Sequence, residues 1–475
     1  MKAVTIKKWL SEYVGIIDDI EQAKSCLSDM NLALTGKEIV LWGAGIIGNE
    51  IAKILQRLGL PIAHILDQRY AEVHPIGGIT VESPLILATL DLSNAVVIAG
   101  VSSQTAEKLK LAANEMGVYA DLVIGERLLT SARSSACMLD MENGTEQEYK
   151  RCYDCTILDN TCTVLAKRLK KRNNFDDSAA SGSDAMKMIG YILGQKCTLN
   201  CKCCCESIPH FPSDKRKFVE TQIVIDDIRV MAGCCRFLTL VEFIGGEPFL
   251  HPGLAQILTA VLELKNIGIV HIFSNGTVTP ADELCNVLAN PRIVVYLSNY
   301  SRSLSKELAV RVDRTTTKLD AYGVEYLYGY GKSWFDFSDF ELRCTDEAEL
   351  PKRYQACFLH HCHRLYNGNL FTCPHHYAGL TLGYLDNWDD VLRIHEHSPD
   401  ALVAKIDQYQ EIRYVDACRH CKMPFDAELE PAGTQIMVKR VQRVDGQSSA
   451  VDISTITKVR QHVGPTTQIM EEKTK

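Results

Sequence analysis

The stretch that decides the fold is Gly194–Phe211, GQKCTLNCKCCCESIPHF, directly after the apolar run MIGYIL at 188–193. Cys197, Cys201 and Cys204 stand in CxxxCxxC spacing. Three thiolates bind three irons of a four-iron cube and leave the fourth without a protein ligand, the open position a reactive metal needs. A zinc knuckle or a set of buried thiols uses the same residue types. Cys205 can replace Cys204 in a CxxxCxxxC register, and the spare members of the Cys203–Cys205 run then serve as small polarizable filler beside the metal.

Outward from this loop the chain alternates apolar strands with helical stretches. LTLVEFIGG (238–246), IGIVHIFSNG (267–276) and RIVVYLS (292–298) read as strands, and HPGLAQILTAVLELKN (251–266) as a helix between two of them. This rhythm predicts a partial or complete parallel α/β barrel, whose reactive groups sit at the C-terminal ends of its strands. Polar and glycine-rich groups fall at those ends: Gly245-Gly246-Glu247-Pro248, Ser274-Asn275-Gly276 and Ser298.

A second alternation lies upstream, from Lys37 to Arg127, with EIVLW, NEIAKILQRLG, PIAHILD, AVVIAG and TAEKLKLAANEMG in turn. It predicts a Rossmann-like, doubly wound sheet. Gly43, Gly45 and Gly48 form GxGxxG between strand and helix. Asp67 ends the next strand, about twenty residues on, where a ribose contact sits in nucleotide-binding turns. A bound nucleotide and simple tight helix–sheet packing both account for these glycines.

The 475-residue chain is thus read as α/β throughout. Residues 1–130 form the Rossmann-like domain with an N-terminal amphipathic helix, and 131–184 a linker or helical region ending in DDSAASGSD. Residues 185–332 form the barrel, 333–430 a Cys-rich region and 431–475 a polar, disordered tail. No internal repeat is present.

Apolar residues make up 46% of the chain, and no apolar run reaches the roughly 20 residues a membrane span requires. With no cleavage-site pattern after the N-terminal helix, a cytoplasmic location is expected, with no membrane partner. The net charge of −8 argues against nucleic acid as a partner. Nineteen cysteines in such a chain point to metal ligation rather than disulfides.

The CxxxCxxC loop after the first barrel strand, GGEP after the second and the polar ends of the third and fourth together resemble the radical S-adenosylmethionine superfamily, over roughly Met186 to Tyr330. The resemblance implies a 4Fe-4S cluster on Cys197, Cys201 and Cys204, with S-adenosylmethionine as cofactor. It also implies that Gly245 and Gly246 let the backbone approach the methionyl amine beside Glu247. Ser274 and Asn275 then form a polar wall, and Ser298 contacts the ribose. The implied chemistry is reductive cleavage of the cofactor and hydrogen abstraction by a 5′-deoxyadenosyl radical, with a flavodoxin- or ferredoxin-type electron donor.

Farther on, Cys357, Gly368 and Cys373 resemble the opening of the auxiliary-cluster extension called SPASM or twitch, and Cys418 and Cys421 complete four ligands for a second 4Fe-4S cluster. Cys362 is an alternative ligand, Cys344 lies just upstream, and a zinc site using His360, His361, His363, His375 or His376 is the competing reading. Cys152, Cys155 and Cys162, with Cys137 upstream, form a third small group without a family pattern. Cys26, Cys234, Cys235 and Cys285 read as buried helix residues.

CTLNCKCCCESIPHF with GGEPFLHP, WFDFSDF and LYNGNLFTCP resembles radical enzymes of cell-surface polysaccharide or other sugar metabolism, and the N-terminal WGAG turn resembles domains attached to sugar-modifying and methyltransferase proteins. This implies a small-molecule substrate, a sugar or sugar nucleotide, altered by dehydration, oxidation or epimerisation. Peptide maturation and a non-enzymatic iron–sulfur scaffold or redox carrier are the alternatives. Cys344 and Tyr300 are candidates to donate a second hydrogen atom only in that thiols and phenols can do so, and structural packing is the favoured reading of both.

Overall fold

The computed structural model describes residues 5–118, 122–143, 162–298, 300, 303–329, 333–336, 339–360, 362–423 and 425–436. Cys152, Cys155, His361 and most of the expected tail, 437–475, lie outside the described residues. The chain divides into two compact units, Met1–Arg172 and Asn173–Lys475.

The first unit is built on a parallel sheet of β1 (Glu38–Trp42), β2 (Ile62–Leu66), β3 (Val81–Glu82), β4 (Ala95–Ala99) and β5 (Leu122–Ile124), in the order β3-β2-β1-β4-β5. That is the doubly wound arrangement the alternation predicts. The expected single N-terminal helix is two, Ile6–Glu12 and Ile20–Leu34, interrupted where Gly15 takes φ +78°. Trp9 is fully buried there and its indole N–H donates to the Cys26 carbonyl at 2.7 Å.

Helix Gly125–Glu142 runs without a break past residue 130, where the sequence reading places the end of the domain. Beyond residue 130 its buried residues are Ser131, Ala132, Ser134, Ser135, Ala136, Met138 and Asp140, most of them too small or polar to register as an apolar stripe. The basic residues Lys170, Lys171 and Arg172 end helix Thr163–Arg172, where cations favour the negative end of the helix dipole.

The second unit holds an eight-stranded sheet, β10-β9-β8-β7-β6-β12-β13-β14. Its parallel part is β6 (Met188–Ile192), β7 (Leu238–Ile244), β8 (Ile267–Ser274), β9 (Ile293–Ser298) and β10 (Tyr326–Gly329). Parallel neighbours need crossovers, and helices Thr221–Cys234, Leu254–Leu262, Asp282–Leu288 and Lys306–Ala321 lie between successive strands. Val224, Ile225, Ile228 and Met231 of the first crossover helix, at helical spacing, join Val241, Phe243, Val270, Ile272 and Val295 of the sheet in one buried core. Each such fully buried side chain contributes roughly 1.5–3 kcal/mol.

The Cys-rich region is not irregular throughout. Its β12 (Arg364–Tyr366) pairs in parallel with β6, and β13 (Asn369–Phe371) and β14 (Leu392–Arg393) extend the sheet antiparallel. Strands of two or three residues are too short to show a period in sequence. A separate antiparallel ribbon joins β11 (Ser333–Asp336) to β15 (Glu428–Pro431).

Candidate cluster site

The cysteine loop leaves the C-terminal end of β6. Cys201 is buried and Cys197 and Cys204 are half-buried on this loop, and burial, with the neighbouring Cys201 and Cys197 thiols, raises the Cys204 thiol well above its ordinary value. Cys205 has Glu206, Arg364 and Cys362 near it. Burial pushes the Cys197 thiol up to about 12 and Cys201 up to about 11. Such thiols stay protonated until a metal draws off the proton. Arg216, half-buried, adds a cation beside Cys197 and Cys204 and holds the loop by donating to the Asn200 side chain at 3.3 Å.

The GGE turn after β7 is zipped onto this loop. The Gly246 amide donates to the Gly194 carbonyl at 2.9 Å and the Glu247 amide to the Lys196 carbonyl at 2.8 Å. A Cβ on Gly246 would stand 2.0 Å from the Lys196 oxygen, and Gly245 takes φ +120°. The close approach these glycines serve here is therefore to the cluster loop. Glu247 is fully buried. Its Oε1 accepts from Ser274 Oγ (2.8 Å) and the Phe249 amide (3.0 Å), and its Oε2 from the Asn275 amide (2.9 Å). Burial pushes its pKa to about 7 against these donors. The carboxylate thus ties the ends of β7 and β8 together.

Asn275 continues the same network. Its Oδ1 accepts from the Thr277 amide at 2.9 Å, which turns Nδ2 toward Thr198 Oγ1 (3.1 Å) and Cys197 Sγ (3.5 Å). Ser298 closes β9 and hydrogen-bonds the Tyr300 hydroxyl, and Tyr300 in turn lies near Cys197, Cys201 and Cys204. The sequence-expected residues at the ends of β6, β7, β8 and β9 are gathered into one region.

One buried polar group was not legible in the sequence. Arg364, on β12, donates to Glu206 Oε1 at 3.0 Å, and both side chains are 8% exposed. Its guanidinium reaches across β6 through the space left by Gly190, where a Cβ would meet Nη1 at 2.7 Å. Glu242 of β7 lies in register with Gly190 and interacts with the same guanidinium. Burial opposes the charge on Arg364, and the surrounding carboxylates and thiols hold it protonated.

The auxiliary cysteines sort themselves by the cavity they line. Cys357, Cys373, Cys418 and Cys421 line one cavity, together with His360 and His375. The Cys373 thiol interacts with the other three. Cys362 does not line this cavity but packs in the same cluster as Cys357, Cys373 and Cys421, with Arg364 and Glu242 also near it, and Cys344 donates to the Asp346 carbonyl at 3.5 Å. Among the described residues, no three His, Cys, Asp or Glu side chains converge on a point able to hold one metal ion. A cluster spreads its thiolates over separate irons, so sulfur donors grouped in this looser way fit it. Cys26, Cys234, Cys235 and Cys285 are buried as expected.

In the first unit Gly43, Gly48 and Gly100 pack backbone to backbone. A Cβ on Gly48 would fall 1.9 Å from the Gly43 oxygen, whereas one on Gly45 would meet nothing within 4 Å. Asp67 braces the turn, its Oδ2 accepting from the Ala44 amide at 2.9 Å and its Oδ1 from the Arg69 amide at 2.9 Å. The side chain expected at a ribose is in this structure engaged by the glycine turn itself.

No protein-family model and no curated protein matches the sequence. Solved structures do. They include Streptococcus suis SuiB bound to S-adenosylmethionine, 18% identical over 42% of this chain and 46% of that one, with a TM-score of 0.26. BtrN in complex with AdoMet and 2-DOIA is 13% identical over 50% of this chain and 92% of that one, with a TM-score of 0.31. Native anSMEcpe with bound AdoMet is 17% identical over 30% of this chain and 42% of that one, with a TM-score of 0.23. The chain spans less than half the length of SuiB and of anSMEcpe. No helix among the described residues is long and apolar enough to cross a membrane. In this chain the cysteine loop and the glycine turn meet at adjacent strand ends of a helix-covered parallel sheet.

Proposed function

We propose that the chain is a radical S-adenosylmethionine enzyme, with one 4Fe-4S cluster on Cys197, Cys201 and Cys204 and a second on Cys357, Cys373, Cys418 and Cys421. The observation that supports this reading is the CxxxCxxC loop after β6 with the GGE turn hydrogen-bonded onto it. Cys197, Cys201 and Cys204 would hold the cluster, which, reduced by an external electron donor, would supply the electron for reductive cleavage of S-adenosylmethionine and the hydrogen abstraction that follows.

The chain's own residues orient and enclose. Glu247, Ser274 and Asn275 fix the ends of β7 and β8 beside the loop. The proposed substrate is a small molecule, a sugar or sugar nucleotide. The support is the resemblance of the WGAG, WFDFSDF and LYNGNLFTCP stretches to sugar-modifying proteins. Peptide maturation is the competing reading.

The test is anaerobic reconstitution with iron and sulfide, then dithionite and S-adenosylmethionine, with 5′-deoxyadenosine as readout. Wild type is expected to form it. Cys197→Ala/Cys201→Ala/Cys204→Ala is expected to form none while keeping the iron of the second cluster. Stimulation by nucleotide sugars and not by short peptides is the expected substrate result. A wild type that loads both clusters yet never cleaves the cofactor would return the chain to the scaffold class.

A further inference from the structure

The residues after β15 run antiparallel to the cluster loop. The Lys202 amide donates to the Thr434 carbonyl at 2.8 Å, the Ile436 amide to the Asn200 carbonyl at 2.8 Å, and Cys201 pairs with Gln435 as a β-bridge. The Lys202 ammonium is paired with Glu430 at the base of the strap. Ser303 Oγ fastens it again, donating to the Ala432 carbonyl at 2.7 Å. The sequence reading placed a disordered tail from Pro431, and up to Ile436 this segment is ordered against the cysteine loop.

The orientation of the Gln435 amide follows from its partners. The Asn200 amide, which only donates, meets Gln435 at 2.8 Å, so that end is Oε1. The NH2 group then faces the other way. It donates to the Gly433 carbonyl at 2.7 Å and to Cys201 Sγ at 3.1 Å. The donor comes from 234 residues farther along the chain. Asn275 makes the corresponding contact to Cys197 Sγ from the end of β8.

We propose that Gln435 is a positioning residue of the cluster site, its side-chain amide holding the Cys201 sulfur and setting the reduction potential of the cluster bound there. The proposal rests on the functional reading above. Hydrogen bonds to cluster sulfurs stabilise negative charge on them, and the reduced cluster carries more of it, so a donor raises the potential. Gln435 also anchors the loop through Oε1, and the two roles are separable by substitution. Gln435→Glu keeps an oxygen for the Asn200 amide and removes the donor to sulfur. Gln435→Met removes both at similar length.

The experiment is an EPR-monitored redox titration of the full-length, reconstituted protein. The signal that S-adenosylmethionine perturbs identifies the cluster on Cys197, Cys201 and Cys204. Both variants are expected to shift the midpoint potential of that signal downward, Gln435→Glu further because it sets a carboxylate against the thiolate. The second cluster's signal should stay in place. Loss of iron from the perturbed site in Gln435→Met, with the second cluster retained, also supports the positioning role. Wild-type potentials in both variants, or equal shifts in both signals, overturn the proposal. A wild type with no S-adenosylmethionine-sensitive signal overturns the functional reading itself, and the proposal with it.

Discussion

After β1, Gly43 turns at φ +122°; after β7, Gly245 turns at φ +120°. In each case a glycine nearby has no room for a Cβ, and an acidic side chain ties the turn to the next strand. The first turn packs against its own sheet, with Gly48 on the Gly43 oxygen and Gly43 on Gly100. The second packs against a cysteine loop, with Gly246 on the Lys196 oxygen. The same backbone conformation therefore says nothing by itself about a ligand. What lies across the glycine decides its use.

The largest effects should come where a side chain has no room. Gly246→Ala is expected to cost about 3 kcal/mol or more through overpacking and to abolish iron loading on the three cysteines. Gly48→Ala should cost a similar amount in the first unit while leaving the iron content unchanged. Thermal unfolding of the apo variants, with iron and sulfide assays after reconstitution, would break the comparison if both lost iron alike.

A smaller, pH-dependent contrast concerns the two acids. Glu247 is raised to about 7 by burial, so folding binds its proton more tightly, and its contribution to stability declines as pH rises from near 4.5 toward 7. For Asp67, burial opposes ionisation, but the Ala44 and Arg69 amides win and hold it below its ordinary value. Its contribution is present above about 4 and is lost as pH falls through its lowered value. Glu247→Gln should flatten the apparent melting temperature of the apo protein between pH 5 and pH 7, and Asp67→Asn only its acid limb. Identical profiles for both variants would remove the contrast.

The smallest effect is expected at Gly45, where Gly45→Ala should change stability by about 0.5 kcal/mol or less, since a Cβ there meets open space. Calorimetric titration with NAD sharpens the point. If wild type binds it and Gly45→Ala does not, the first turn cradles a phosphate as well as packing the sheet. If wild type shows no heat, packing alone accounts for the glycines.

Much of the site was legible because its chemistry lies in short, contiguous segments. CxxxCxxC and GGEP follow apolar strands, so the apolar runs that predict β6 and β7 also predict where the motifs emerge. The grouping of Cys357, Cys373, Cys418 and Cys421, with Cys362 as the alternative, was legible as a spacing. Helix Gly125–Glu142 escaped beyond residue 130 because most of its buried residues there are serine and alanine, and β12 to β14 because they are too short for periodicity.

By itself the sequence determined the parallel α/β architecture of both units, the cysteines able to hold iron and the strand ends that carry them, since hydrophobic period and motif spacing are local properties. Only the tertiary structure decided that Arg364 crosses the gap at Gly190 and that Gln435 reaches the Cys201 sulfur. Each of those depends on the direction of a side chain across a sheet or on a contact between residues far apart in the chain. Such contacts are set by packing, and no local pattern encodes them.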